Sequence, residues 1–201
     1  AFFLREGLTI KGKTLREHLE IVNHGEAIMF LQDAIRHRDL SEGLIKEFHA
    51  LLFEGVKGWA GGKPIRPGFY KLEDNHVLTP SGEIHYYVPA VQVPMEMANL
   101  MEWFSTNKNT IHPIELSAKF HHRFVAIHPS PDGNGRVSRL CMNFILMKAG
   151  YPPAIIRQEE RLEYYLALEK ADNGDDRSFI ELVSSEVERS LKTMEKVLIG
   201  K

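Results

Sequence analysis

Apolar residues recur at three- and four-residue steps along most of this chain, the period of amphipathic helices buried on one side. In "TLREHLEIVNHGEAIMFLQDAI" the stripe runs Leu15, Leu19, Val22, Ile28, Leu31 and Ile35, with Gly25 the expected place for a break. "SEGLIKEFHALLF" opens on Ser41, a residue type suited to capping a helix, and sets Leu44, Ile45, Phe48, Leu51 and Leu52 on one face. A third helix starts near Pro94 and carries Met97, Leu100, Met101 and Phe104. "HPIELSAKFHHRFVAIH" starts at Pro113 and stripes Ile114, Ala118, His121, Val125 and His128. The next helix, "RVSRLCMNFILMKAG", stripes Val137, Leu140, Cys141 and Phe144 and stops at Gly150, with Pro152 and Pro153 behind it. Two more helical segments follow, from about Arg161 to Lys170 and from about Arg177 to the end.

The period changes once. "GGKPIRPGFYKLEDNHVLTPSGEIHYYVP" is rich in Gly and Pro, and "HVLT" and "IHYYV" flank the turn sequence "PSGE". The expectation is one mainly α domain with a single β-hairpin, long enough at 201 residues for one well-buried core. Hydrophobic residues at 43% and charged residues at 26% are ordinary for a globular chain. A formal net charge of −2 gives no support to nucleic-acid binding by phosphate neutralisation, so no nucleic-acid partner is expected. The one cysteine, Cys141, excludes an internal disulfide framework and a cysteine-rich zinc site; it suits a reducing, cytoplasmic setting. "AFFLREGLTI" is interrupted by Arg5 and Glu6 too early for a signal-peptide core or a membrane span, and no membrane association is expected. The chain does not begin with Met, and a trimmed or partial chain is expected.

The chemistry concentrates in "HPSPDGNGRVSR", His128 to Arg139. Gly133 and Gly135 can take backbone conformations closed to other residues and let a ligand approach the main chain. Just before a helix, they aim free N–H groups and the positive end of the helix dipole at an anion. This is not a phosphate loop of the Walker type, because no Lys-Ser/Thr pair follows. Nor is it a dinucleotide turn, because Ser138 stands where a third glycine belongs and a helix precedes it. Arg136 and Arg139, three apart on the first turn, can face a polyphosphate with forked donors. Asp132 supplies a hard oxygen of the kind that holds Mg²⁺ together with phosphate oxygens and waters, and Asn134 can donate to a phosphate oxygen. His128 is the nearby group whose ordinary pKa lies close to neutrality, as a general base requires. Singly, these are a glycine turn, surface arginines and two helix caps; together within twelve positions they point to polyphosphate chemistry. His121 and His122, adjacent on a helix and so facing apart, read as structural residues, and Trp59 and Trp103 as packing residues.

With those residues in place, the stretch resembles the Fic domain signature, H-x-F-x-(D/E)-G-N-G-R-x-x-R. The resemblance covers nearly the whole chain, with "GFYKLEDNHVLTPSGEIHYYVP" at the family's flap hairpin and "EYYLALEKADNGD" near the end. It implies a single Fic-type helical domain over 1–201: an N-terminal helical segment at 1–40, a flap region at 66–90 and a core helix–loop–helix at 113–150. It also implies transfer of AMP from Mg-ATP to a Ser, Thr or Tyr hydroxyl of a target protein, with pyrophosphate released. Under that resemblance His128 takes the proton of the target hydroxyl and Asp132 holds Mg²⁺. Gly133, Asn134 and Gly135 line the anion hole, Arg136 holds the β-phosphate and Arg139 reaches the γ-phosphate. Tyr165 and Asp172 fall at the nucleoside pocket, the latter where the family often has Asn. His76, Val77, Leu78 and Thr79 in the flap lie over the nucleotide and pair with target backbone as an added strand. The partners implied are a target protein docked on the flap and a homodimer. Control is implied to come from an inhibitory helix upstream of Ala1 or from a separate antitoxin-like protein.

Two departures stand out. Ser130 replaces the signature's Phe, whose loss from a core typically costs ~3–5 kcal/mol if nothing fills the space. The family's inhibitory pattern, (S/T)-x-x-x-E-(G/N), is not matched: Ser184 to Glu188 has the spacing, but Arg189 follows. Two other readings therefore stay open: a relative that transfers another phosphate-containing group, such as phosphate or UMP, and a non-catalytic nucleotide-binding or interaction module.

Overall fold

The computed structural model describes residues 14–56, 59–60, 63–78, 82 and 84–200, and helices dominate them. Helix α1 (Leu15–His37) opens with a reciprocal cap: Thr14 Oγ1 accepts from the Glu17 N–H at 3.2 Å, and the Glu17 carboxylate accepts from the Thr14 N–H at 2.8 Å. The expected break at Gly25 does not occur. A glycine there costs roughly 1 kcal/mol against Ala, and burial of Ala27, Leu31 and Ala34 along the same helix outweighs it. That buried face is rotated from the sequence stripe, and Ile28 is exposed. Helix α2 (Glu42–Leu52) is capped as its sequence predicts, Ser41 Oγ accepting from the Leu44 N–H at 3.2 Å.

Two small antiparallel ribbons follow. Strands β1 (Trp59–Ala60) and β2 (Lys63–Pro64) pair with each other, a feature the sequence did not announce. Strands β3 (His76–Leu78) and β4 (Ile84–Tyr86) form the expected hairpin, with His76 opposite Tyr86, Val77 opposite His85 and Leu78 opposite Ile84. Thr79 lies outside the described residues.

Helix α3 (Val93–Asn107) carries Pro94 in its first turn, and α4 (Pro113–Ile127) begins on its own proline. Helix α5 (Asn134–Lys148) ends before Gly150, which sits at φ +86°. Helices α6 (Arg161–Asp172) and α7 (Arg177–Ile199) complete the fold. Helix α4 is buried on two sides, where the sequence stripe revealed one. Leu116, Phe120, Phe124 and Ile127 join a core with Phe48, Leu52 and Phe144, while Ala118 joins a second with Met142, Leu146, Tyr164 and Phe179. Helices α4 and α5 are thus clamped between two apolar clusters. The loop joining them carries the motif.

Candidate active site

Helix α4 stops because His128 leaves the helical conformation. Its N–H still bonds the Phe124 carbonyl at 3.0 Å, but its backbone is left-handed (φ 51°, ψ 60°), alone in this among the described non-glycine residues. Such a conformation costs a non-glycine residue about 1–2 kcal/mol, and here it swings the imidazole off the helix line. The ring stacks on Tyr87, centroids 3.8 Å apart at an interplanar angle of 20°. Its Nδ1 is buried, which leaves Nε2 to meet a substrate. Burial lowers the His128 pKa to about 4; the charge of Lys71 and nearby His85 push the same way and the Val125 backbone opposes them. The near-neutral value suggested by residue type is therefore not the value in place, and the ring is neutral at physiological pH.

The flap is stapled to the motif loop beside that ring. Lys71, 3% exposed, donates its N–H to the Pro129 carbonyl at 2.8 Å and its Nζ to Asn75 Oδ1 at 2.6 Å. The loop is also tied to itself: Asn134 Oδ1 accepts from the Ser130 N–H at 2.9 Å, and Asn134 Nδ2 donates to the Ser130 carbonyl at 2.7 Å. These two bonds hold the Asn134 side chain, 2% exposed, within the loop, and its backbone N–H is what the residue turns to the start of the helix. The N–H groups of Asn134 and Gly135, opening α5, have no acceptor among the described residues. Gly133 is required twice over: its φ is +81°, and a Cβ there would lie 2.6 Å from the Phe53 ring. Ser130 leaves no hole, since only about 10 Å³ remains open among Ser130, Ile45, His49, Tyr70, Phe124 and Val137.

Four charges alternate at the mouth of this turn. Asp132 Oδ1 accepts from the Gly133 N–H at 2.6 Å, and its Oδ2 pairs with Arg16 of α1 at 3.1 Å. Arg16 also pairs with Glu20 at 2.8 Å, and Glu20 reaches Arg136 at 3.5 Å. The Arg136 guanidinium lies over the Phe53 ring at 4.8 Å. Arg139 makes no ion pair among the described residues. Its presence lowers the Tyr164 pKa against the burial that raises it to about 12. His49, buried in α2, accepts from the Gly68 N–H at 2.9 Å through Nδ1, so its Nε2 carries the proton donated to the Asp132 carbonyl at 3.2 Å. Sequence reasoning missed Lys71, His49, Arg16 and Glu20. Arg16 and Glu20 were findable as an i,i+4 pair, while His49 gave no signal.

Beyond His128 opens a cleft of about 510 Å³, walled by Val77, Tyr87, Val125, Tyr165, Leu168 and Asp172 among others. Tyr87 is shared, lining the cleft and stacking on His128. Val77, Tyr165 and Asp172 thus come together as expected. His76 is exposed on β3 outside the cleft wall, and Leu78 is placed by its backbone opposite Ile84. Asp172 Oδ1 lies 2.8 Å from His122 Nε2, and both residues line the cleft. His121 is fully buried, 3.0 Å from the Tyr164 hydroxyl, and burial lowers its pKa to about 3. No group of three or more His, Cys, Asp or Glu that could hold a metal occurs among the described residues. A lone half-exposed carboxylate, Asp132, does not make a cage, but it fits an ion held by one carboxylate plus ligand oxygens and waters, as Mg²⁺ is.

A neutral histidine at a helix end, a glycine turn opening the next helix and a cleft reached through a hairpin define a helical domain with the groups to hold a polyphosphate. The Fic/DOC family profile matches residues 39–146, more than half of the chain, and the chain belongs to that family. It is 32% identical over 195 residues to protein adenylyltransferase fic-1 of Caenorhabditis elegans, covering 94% of this chain and 36% of the relative. To protein adenylyltransferase Fic of Nematostella vectensis it is 34% identical, covering 92% of this chain and 41% of the relative. The chain thus spans well under half the length of these curated relatives. Its fold superposes on a Fic domain containing signaling protein from Bacteroides thetaiotaomicron with a TM-score of 0.90 and 29% identity, covering 100% of this chain and 79% of that one.

Proposed function

We propose that this chain is a protein adenylyltransferase, moving AMP from Mg-ATP to a Ser, Thr or Tyr hydroxyl of a target protein. The observation that carries this reading is the juxtaposition of His128, neutral and stacked at the cleft, with the free N–H groups of Asn134 and Gly135 at the start of α5. The names of the relatives support the same activity. The target hydroxyl attacks the α-phosphorus, its proton passes to His128 Nε2, and the bond from the α-phosphorus to the bridging oxygen breaks to release pyrophosphate. A base of pKa about 4 is always ready at neutral pH, and it gains its proton as the hydroxyl turns acidic on bonding to phosphorus. The anion turn and the α5 dipole hold the phosphates, Arg136 leaves Glu20 for the β-phosphate, and Arg139 takes the γ-phosphate. Asp132 would hold Mg²⁺, which when bound neutralises charge on the leaving pyrophosphate.

The target backbone adds to the edge of β3 that pairs with no strand among the described residues, in a hairpin that exposes Val77, Ile84 and Tyr86. The close packing around Ser130 removes the reason for preferring a non-catalytic module. Arg139, without a carboxylate partner among the described residues, is the group that an inhibitory helix upstream of Ala1 or an antitoxin-like protein would cover. Intact-mass measurement after incubation with Mg-ATP tests the reading. A gain of an adenylyl group on the chain or a target is expected; a gain of a phosphoryl group, or none, would contradict it.

A further inference from the structure

The imidazole that takes the proton is not held by a hydrogen bond. A histidine that accepts a proton at Nε2 carries its own proton on Nδ1, and the usual device for holding such a ring is an acceptor bonded to Nδ1. His128 has none among the described residues. Its Nδ1 is buried without a partner, and the Val125 backbone, near enough to favour the charged ring, completes no hydrogen bond to it. What meets the imidazole instead is a flat face. The Tyr87 ring lies within 20° of parallel to it with centroids 3.8 Å apart, closer than the ~4.5–7 Å of ordinary aromatic pairs. Tyr87 is itself fixed. It follows β4, its N–H donates to the Asn75 carbonyl at 3.3 Å, and the His85 ring meets it edge-on at 5.0 Å. Lys71 Nζ, 6.0 Å from the Tyr87 centroid, donates to Asn75 Oδ1, while the Lys71 N–H reaches the carbonyl of Pro129, next to His128. The backbones beneath the two rings are thus tied to each other through Lys71 and Asn75.

We propose that Tyr87 is the positioning residue of the base: its ring face, in place of a hydrogen-bonded acceptor, sets the plane of the His128 imidazole and turns Nε2 to the cleft. The proposal rests on the adenylyl-transfer reading above and adds a residue that lies outside the motif. A stack suits this base. A carboxylate on Nδ1 would raise the proton affinity of the ring, whereas a neutral aromatic face fixes direction without adding charge. The stack also keeps water from the imidazole. Burial is the first cause of its lowered pKa, and Lys71 from the loop before β3 and His85 from β4 act on its charge. The Tyr87 hydroxyl has no part in this role. Burial first, then Asp172 and Tyr165, raise its pKa, so the phenol stays protonated. Tyr87 comes directly off the hairpin whose β3 edge takes the target, so one element both orients the base and holds its substrate.

The test is a set of substitutions read in two independent ways. Tyr87→Phe keeps the ring face and Tyr87→Leu removes it; Tyr87→Met removes it with a longer side chain, should Leu lower the melting temperature. The first reading is kcat for AMP transfer from labelled Mg-ATP, beside the ATP dissociation constant. Leu should cut kcat by roughly tenfold to a hundredfold, the cost of a base turned from its line, with ATP affinity within about threefold of wild type. Phe should stay within about threefold in both. The second reading needs no transfer: the His128 ring is titrated by NMR in histidine-labelled chain, its signal identified by its loss in His128→Ala. The midpoint should lie near 4 in wild type and Tyr87→Phe, and rise toward about 6.5 in Tyr87→Leu as water reaches the ring. Phe as impaired as Leu would give the role to the hydroxyl. Loss of ATP affinity in step with kcat would make Tyr87 a wall of the cleft and no more, and an unchanged kcat in Leu would leave the base held without it. Each of these overturns the proposal. If the wild type transfers no AMP, the transfer reading fails and the ring titration decides alone: an unchanged midpoint in Tyr87→Leu overturns the role of the stack, and a raised one sustains it.

Discussion

At the residue scale, His128 exchanges basic strength for readiness. Its pKa of about 4 places protonation well below neutrality, so the active neutral form is lost only as pH falls through about 4. Transfer by the wild-type chain should therefore show no inflection from this group between about pH 5.5 and 8 in kcat/KM; an acid limb near the ordinary 6.5 would show a solvated ring. Gly133 is set by both backbone and space, with φ +81° and the Phe53 ring 2.6 Å from an added Cβ. Gly133→Ala should cost ~1–3 kcal/mol in denaturant unfolding and lose transfer, since the anion turn cannot keep its shape. A variant as stable and active as wild type would remove that constraint. Ser130 does not leave the unfilled space that would make the loss of the signature's Phe costly. With about 10 Å³ open beside it, Ser130→Phe overpacks the loop and should lower stability by ~1–3 kcal/mol; a rise in melting temperature would reveal space that the packing does not show.

At the scale of elements, α4, the motif loop and α5 form the working unit, and α1 lies across its mouth. Arg16 on α1 competes with any cation for Asp132, at 3.1 Å, but both side chains are more than a third or close to a third exposed, at 37% and 33%. Such a pair is worth about 0.2–1 kcal/mol. Arg16→Ala should therefore lower the Mg²⁺ concentration for half-maximal transfer by up to roughly fivefold; no change would mean that Arg16 does not compete there. The glycine turn, the helix boundaries and the site's main groups were legible because each follows from local rules: proline starts, glycine stops, and a turn before a helix. Contacts across elements were not. The second buried side of α4, through Leu116, Phe120 and Phe124, needed knowledge of what packs behind it. The side-chain amide of Asn134 looked free in sequence, and only the folded loop shows Ser130 taking both its ends. The meeting of His122 with Asp172 was not legible, because fifty residues separate them.

At the scale of the whole molecule, histidines held neutral by burial make the fold acid-sensitive: burial lowers the pKa of His24 and His49 as well as those of His121 and His128. His121 at about 3 and His128 at about 4 are neutral when folded, while an unfolded chain protonates them near 6.5. Below that value the unfolded state binds more protons, so stability is full above about 6.5 and is lost as pH falls toward the folded values. The slope is up to ~1.4 kcal/mol per pH unit for each group. Melting temperature should thus drop steadily from about pH 6.5 to 4; a flat profile would mean that these rings are not held neutral. The same burial that exacts this cost gives the two-cluster core its hold on the motif loop, and the proposed AMP transfer through His128 depends on that hold. The most direct test compares labelled-AMP transfer by the wild-type chain and His128→Ala at matched ATP occupancy. Loss of the base should cut the rate by ~10²–10⁴ while ATP still binds, because the phosphate contacts come from other residues. A wild-type rate in His128→Ala would contradict the mechanism at its centre.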